Sequence, residues 1–393
     1  MKTLMSDLQQ DRLVSLDVFR GITMAGMVLV NNPGDWSYVY SPMRHAVWHG
    51  WTATDLVFPF FLFIVGVSMV FSIEKGSRSG LSKSSMVRKA IRRSAILFGL
   101  GLALHLVPTE TPEGYNWFTD TFLHVRIMGV LQRIALVYLI ASVLVLYCSE
   151  KARTAWALGF IAVYWLAMRF VPFPVVQDGF TITHIGSYEQ EINLAAYVDN
   201  AILHGHTYLK GSVFHHDPEG ILSTLPAIVT SLIGVQTGVV LMRKGSEFQK
   251  ALQLFFAGTC GTILGLILDW FFPINKPLWT PSYVVLTAGL ALIGLGMCYY
   301  LVEIRKTGSW VKPFVIFGTN AITLYVCSEL VARLILLIKV DNQGTSLKSW
   351  FVDHLYLPVF GNLNGSLAFA IAYLLAMFAV ILVLYRNRIL IRV

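Results

Sequence analysis

Charged side chains are scarce in this chain. Only 13% of its 393 residues are Asp, Glu, Lys or Arg, and 55% are hydrophobic. A soluble domain carries about 25% charged residues, so the deficit excludes a conventional soluble enzyme. Cysteine is rare as well. Cys148, Cys260, Cys298 and Cys327 stand alone in or beside apolar segments, with no Cys-x-x-Cys spacing. That removes both a metal knuckle and a disulfide framework. There is no Gly-rich phosphate loop and no His-Glu-x-x-His frame. The polar start Met1–Asp11 carries acids beside Lys2 and lacks the basic character of a cleavable signal peptide. The first apolar segment is therefore expected to be retained as a span.

What the chain has instead is a series of apolar runs, near residues 13–32, 54–74, 91–107, 127–147, 154–171, 221–242, 248–271, 282–303, 312–338 and 364–385. Crossing a bilayer takes about 20 such residues. The runs predict an all-α, polytopic transmembrane helix bundle of about ten spans, one domain over 1–393. The third run is short, so its helix is expected to recruit neighbouring polar turns. A break is allowed within the ninth.

Net charge is +8, and the basic residues gather in alternate loops. Lys75 to Arg93 crowd the second, and Lys151, Arg153, Arg243, Lys244, Arg305 and Lys306 mark later even loops. Arg386, Arg388 and Arg392 close the chain. The odd loops carry acids, among them Asp35, Glu110, Asp178, Asp199, Asp217 and Glu219. Positive-inside bias puts both termini in the cytoplasm and the odd loops on the far side. Basic residues in short loops between spans are not a nucleic-acid footprint; membrane lipid, and no nucleic acid, is expected as a partner. Residues 172–220 form the long periplasmic loop, where Asn193–Leu203 reads as a short surface helix. His184, His204, His206, His215 and His216 lie in that loop, but their spacing does not match a zinc frame, and no metal is expected.

A histidine and a carboxylate at the mouth of a span are costly unless they bind, conduct or catalyse. The loop Met43–Trp51 sets His45 and His49 ahead of Asp55, which borders the apolar run Leu56–Ser72. Asp55 has two readings. It can fix the tautomer of His45 as a triad carboxylate does, or join Thr52 and Thr54 in capping the next helix. Trp48 and Trp51 suit an interfacial belt and equally a stacking surface for a sugar ring. Asn31 and Asn32 precede Pro33-Gly34, which stops the first helix. Asn31 can donate to a carbonyl oxygen, Asn32 can address a hydroxyl or amine, and plain helix-end chemistry is the alternative.

Other polar groups lie inside the apolar runs. Asp17 and Arg20, three apart, share a helix face and can pair; Arg20 can also meet an anion, helped by Gly21. Arg126 and Arg133 are seven apart, expected on one face of the fourth span with Gln132 beside them. Intramembrane arginine needs a partner, and Asp269 and Glu329 are the expected ones, around a polar cavity among the first four spans. Asn320 must find a partner for its amide within the ninth run. Ile274–Tyr283 reads as an outer turn or helix start, with Lys276 near the aqueous face.

Together these segments resemble the heparan-alpha-glucosaminide N-acetyltransferase family. The resemblance rests on Arg12–Gly21, Met27–Asn31, Arg44–Pro59, Gly129–Arg133, Gly220–Pro226, Ile274–Tyr283 and Phe317–Ala321, in order over nearly the whole chain. It implies a multispan enzyme that takes acetyl from cytoplasmic acetyl-CoA and places it on the amino group of a glucosamine-type sugar across the membrane. The family's essential histidine corresponds to His45, its nearby asparagine to Asn31, and the Asp after the tryptophan motif to Asp55. His49 stands where the pattern usually has asparagine. Without the large luminal N-terminal region of the lysosomal animal enzyme, the chain looks like a compact bacterial relative in the inner membrane.

On that reading His45 is the general base, Asn31 donates to the acetyl oxygen, and Asp55 orients or compensates His45. An acetyl-His45 intermediate stays open beside direct transfer. The phosphates of acetyl-CoA are expected at Arg20, Arg126 and Arg133, with Gln132 alongside. The acceptor sugar is expected at Asn32, Trp48 and Trp51. A second copy of the chain is a candidate partner. An amino-sugar transporter is the competing reading, although no clear pair of interrupted repeats is visible.

Overall fold

A backbone surrounded by lipid must satisfy its own hydrogen bonds, which folds apolar runs of this length as helices. The computed structural model describes residues 13–177, 179–208, 213–214, 216–308, 310–389 and 391; Met1–Asp11, Arg12, Asp178, His215 and Arg392 lie outside these. Helices α1 (Val14–Asn31), α2 (Val57–Arg78), α3 (Lys83–His105), α4 (Val130–Tyr147) and α5 (Glu150–Phe170) precede the long loop. The loop holds a hairpin, β1 (Phe173–Gln177) with β2 (Phe180–His184), and α6 (Leu194–Leu203). Then follow α7 (Thr224–Met242), α8 (Glu247–Leu268), α9 (Pro281–Tyr299), α10 (Val311–Thr319) and α11 (Ala321–Leu337). The short α12 (Leu347–Phe351) and α13 (Leu357–Phe360) lead into α14 (Asn362–Arg386).

Among the described residues seven helices are long and apolar enough to cross a membrane, or eight if α10 and α11, bent by 80°, make one broken span. The break falls at Asn320, whose amide finds its partners at the chain's end. Its Nδ2 donates to the Ile389 carbonyl at 3.1 Å, and its Oδ1 accepts from the Ile391 N–H at 3.1 Å. Helices α3 and α5 are 23 and 21 residues long but carry charges that keep them outside the eight. As expected, α3 recruits polar sequence, starting at Lys83 rather than at the apolar run.

Between lipid-exposed helices apolar burial gives little drive, so small residues that admit close packing matter more. A Cβ on Gly66 of α2 would lie 2.0 Å from the Ser231 carbonyl oxygen, and one on Gly234 of α7 would lie 2.1 Å from that of Phe63. The Tyr283 hydroxyl, in the first turn of α9, donates to the Asp55 carbonyl at 2.5 Å. The glycine contacts set the first half of α2 against α7, and the Tyr283 bond ties the turn before α2 to α9, which is where the site is built.

The hairpin is a departure from helix within the loop. Phe173 and Val175 are buried while Val176 is exposed, the period-two pattern of a half-buried strand. They pack on Tyr164 and Met168 of α5. The expected short helix is present as α6, with the Asn193 side chain capping it by accepting from the Ala196 N–H at 2.8 Å.

Candidate active site

Two segments far apart in sequence clasp each other at the mouth of α2. The Gly50 N–H donates to the Ile274 carbonyl at 2.7 Å, and the Asn275 amide nitrogen donates to the Trp48 carbonyl at 2.9 Å. The Asn275 oxygen accepts from the Leu278 N–H at 2.8 Å, so one side chain pins both its own turn and the loop carrying His45.

In that frame His45 Nδ1 lies 2.6 Å from Asp55 Oδ1. The other carboxylate oxygen accepts from the Ala46 N–H at 3.0 Å, the Thr52 N–H at 3.1 Å and the Thr52 hydroxyl at 3.2 Å. The two oxygens thus have separate sets of partners, His45 on one and the turn at Ala46 and Thr52 on the other. The Asp55 bond back to Thr52 is half of a capping box, and its bond to His45 selects the ring orientation. The carboxylate is 2% exposed, whereas the imidazole is 44% exposed. With Nδ1 donating to Asp55, Nε2 is the nitrogen that keeps a lone pair, and it has no protein partner among the described residues.

Lys276 completes the group. Its Nζ lies 3.1 Å from His45 Nδ1 and 3.4 Å from Asp55 Oδ1. Burial pulls the ammonium below the usual lysine range, against the opposing charges of Asp55 and Glu219. Sequence reasoning had Lys276 near water but not at the histidine. The available signal was its place inside Ile274–Tyr283, a segment already singled out.

The remaining residues are dispersed. Asn31 is exposed at the end of α1, and its side chain makes no hydrogen bond among the described residues. Asn32 is buried, and its Nδ2 donates to the Val28 carbonyl at 2.8 Å and to Ser328 Oγ at 3.5 Å. Trp48 Nε1 donates to the Tyr188 carbonyl at 2.8 Å, tying the loop to the 172–220 segment. Trp51 is the more open of the two, 39% exposed. Arg20 pairs with Asp17 at 2.9 Å and also donates to Ser68. The close approach that Gly21 permits is made by α10: a Cβ there would overlap the Phe314 carbonyl at 1.8 Å.

The arginine pair differs from expectation. Helix α4 begins at Val130, so Arg126 lies ahead of it in an extended segment, where the Ile127 N–H bonds to the His206 carbonyl at 3.1 Å. Asp217 and Glu219, not Asp269 or Glu329, hold it: both Asp217 oxygens accept, at 2.7 and 2.6 Å, and Glu219 adds a third bond. Burial works against the Arg126 charge, but Glu219 and Asp217 outweigh it and raise its proton affinity. Asp269 instead accepts from the Ile274 N–H at 2.6 Å and shapes the turn. Arg133 is fully buried over the Trp279 ring and donates to the Gly220 carbonyl at 3.0 Å and to Ser223. Its Nε and Nη1, and both amide atoms of the neighbouring Gln132, have no hydrogen-bond partner among the described residues. Among the described residues no three His, Cys, Asp or Glu side chains gather as metal ligands.

Comparison with known proteins bears on what this arrangement does. A family model described as heparan-alpha-glucosaminide N-acetyltransferase, catalytic, matches residues 12–264. The chain is 33% identical over 362 residues to heparan-alpha-glucosaminide N-acetyltransferase of Homo sapiens, covering 81% of this chain and 53% of that protein. It is 32% identical over 363 residues to the protein of the same name from Mus musculus, again covering 81% and 53%. The chain thus spans about half the length of the curated relatives it matches.

Proposed function

Because this chain belongs to the heparan-alpha-glucosaminide N-acetyltransferase family, we propose that it moves acetyl from acetyl-CoA to the amino group of a glucosamine-type sugar. One observation carries the assignment: a solvent-accessible imidazole held through Nδ1 by a buried carboxylate, with Nε2 left for substrate. As the amine attacks the thioester carbonyl, Nε2 takes the ammonium proton of the adduct. The C–S bond then breaks, and the CoA thiolate leaves with that proton returned to it. Asn31 is assigned as donor to the oxyanion. Direct transfer is the economical form, since no second nucleophile is needed.

For the donor, Gln132 and Arg133 are the favoured contacts. A fully buried polar group without a partner is costly unless something occupies it, and these two residues hold four such atoms. Arg20 and Arg126, already paired, are weaker candidates. For the acceptor, Trp51 is the favoured contact because it is the most open of the three; Trp48 and Asn32, whose side-chain nitrogens already have partners, are weaker candidates.

The chain is further proposed to form one catalytic unit over 1–393 in a bacterial inner membrane, with 172–220 periplasmic. Ten spans follow if α3 and α5 join the eight apolar ones, and the alternating loop charge then favours both termini in the cytoplasm. Acetyl-CoA would be drawn from the cytoplasm and the sugar acetylated on the far side.

The test is transfer by purified protein in nanodiscs, with acetyl-CoA and a panel of amines and alcohols read by mass spectrometry. N-acetylation of glucosamine is expected. Exclusive acylation of a hydroxyl, or no transfer to any amino sugar, overturns the proposal.

A further inference from the structure

We propose that Lys276 is a positioning residue that keeps His45 a neutral base: its ammonium pairs with Asp55 and stands against the imidazole, so the carboxylate orients the ring without charging it. The proposal rests on the assignment of His45 as proton acceptor. A buried carboxylate 2.6 Å from an imidazole favours the imidazolium when it acts alone. An imidazolium has no lone pair at Nε2 and cannot accept a proton from the amine. Orientation by Asp55 therefore carries a penalty that some other charge must offset.

The geometry points to Lys276. Its Nζ is 3.4 Å from the same oxygen that His45 uses, and 3.1 Å from Nδ1 itself. While Nδ1 donates to Asp55 it cannot accept from the ammonium, so the imidazole N–H and the ammonium share a single carboxylate oxygen. A proton added at Nε2 would put a second positive charge a few ångströms from the first. The lysine is held in place from both sides, following Asn275, which is bonded to Trp48, and preceding Pro277; its side chain is 19% exposed.

The other charges around the site do not replace it. Asp55 faces His45 from the turn before α2, and Glu219, before α7, acts on Lys276. Arg44, in the same loop, is turned away onto the Val39 and Ser37 carbonyls. His49 lies against Asn275, 3.4 Å from its amide nitrogen. Lys276 is thus the cation that both touches the ring and shares its carboxylate.

The variants are Lys276→Gln, Lys276→Met, which keeps the apolar stem, and Lys276→Arg. Two readouts apply: the acid limb of kcat/KM against pH, and the pH midpoint of His45 carbethoxylation by diethyl pyrocarbonate, followed by peptide mass spectrometry. In the Gln and Met variants both are expected to move up by about one pH unit relative to the unsubstituted protein, a tenfold smaller reactive fraction on the acid side. Lys276→Arg should leave both in place. No shift in whichever neutral variant folds, or an equal shift in Lys276→Arg, overturns the proposal. The labelling readout needs neither donor nor acceptor, so it stands or falls separately from the acetyl-transfer reading.

Discussion

Two charged clusters, one holding Glu219 against Arg126 and the other placing Lys276 where it feels the Glu219 charge, are built on opposite plans. Around Arg126 nearly every charge is spent inside the protein: both Asp217 oxygens and Glu219 hold the guanidinium, and the Tyr208 ring covers it at 4.7 Å. Around His45 the carboxylate is equally buried and equally satisfied, but the bonds it receives end on a ring that is 44% exposed. The first cluster spends its hydrogen bonds on fixing the long loop against the start of α4. The second spends them on presenting one nitrogen to solvent. Charge density does not distinguish a brace from a site; what does is whether the last group in the network is left with bonding capacity facing outward.

The comparison breaks first, and most severely, at His45. His45→Ala removes a half-exposed ring whose buried partner Asp55 keeps Lys276, Ala46 and Thr52 around it, so turnover should fall by about 10²–10⁴, the usual worth of general acid–base catalysis, with little loss of fold. Its melting temperature in detergent should stay within a degree or so of the parent protein. Arg126→Met should do the reverse. Removing one partner of a buried ion pair strands Asp217 and Glu219, a cost of about 3–5 kcal/mol. The melting temperature drops, and activity falls with the folded fraction. Thermal melts and initial rates on the same preparations check both. A stable, inactive Arg126 variant would mean that this cluster is part of the site.

How much of this was legible in the sequence follows from the distance between partners. Asp17 with Arg20, and His45 with Asp55, are three and ten residues apart, and both pairs form as the local spacing suggested. Arg126 with Asp217 is 91 apart, and Lys276 with His45 is 231 apart. Nothing in one sequence selects such a partner from all the acids in the loops, which is why Asp269 and Glu329 stood in for Asp217 and Glu219. The apolar runs announced their helices because lipid allows the backbone little else. Asn320 announced the need for a partner, though not that the chain's end would supply it. The hairpin at Phe173–His184 departs from the sequence expectation: Asp178-Gly179 is a two-residue turn signal in the sequence, but Pro174 weakens the strand signal beside it.

The finest test of the contrast uses Asp199, on α6 beneath the Arg126 brace. Its Oδ1 accepts from the Ile221 N–H at 2.9 Å and its Oδ2 from the Asp217 N–H at 3.3 Å. Even so, burial and the neighbouring Asp217 charge push its carboxyl up to about 7. An acid raised above its unfolded value, about 3.9, adds stability that is complete below that value and is lost as pH rises through the folded one. Between pH 6 and 8 the melting temperature of the unsubstituted protein should therefore slope downward by a few degrees, as Asp199 ionises against Asp217. Asp199→Asn should flatten that slope, even though it lowers stability at every pH by turning an amide toward backbone N–H groups. Melts across that range, compared as slopes rather than as absolute temperatures, isolate Asp199 from whatever else changes with pH in both proteins. If the two slopes coincide, Asp199 is already ionised throughout and belongs with Asp217 and Glu219 as a third acceptor. The brace would then hold more negative charge than Arg126 alone can balance, and the buried, half-bonded Arg133 would be its counterion rather than a contact for the acetyl donor.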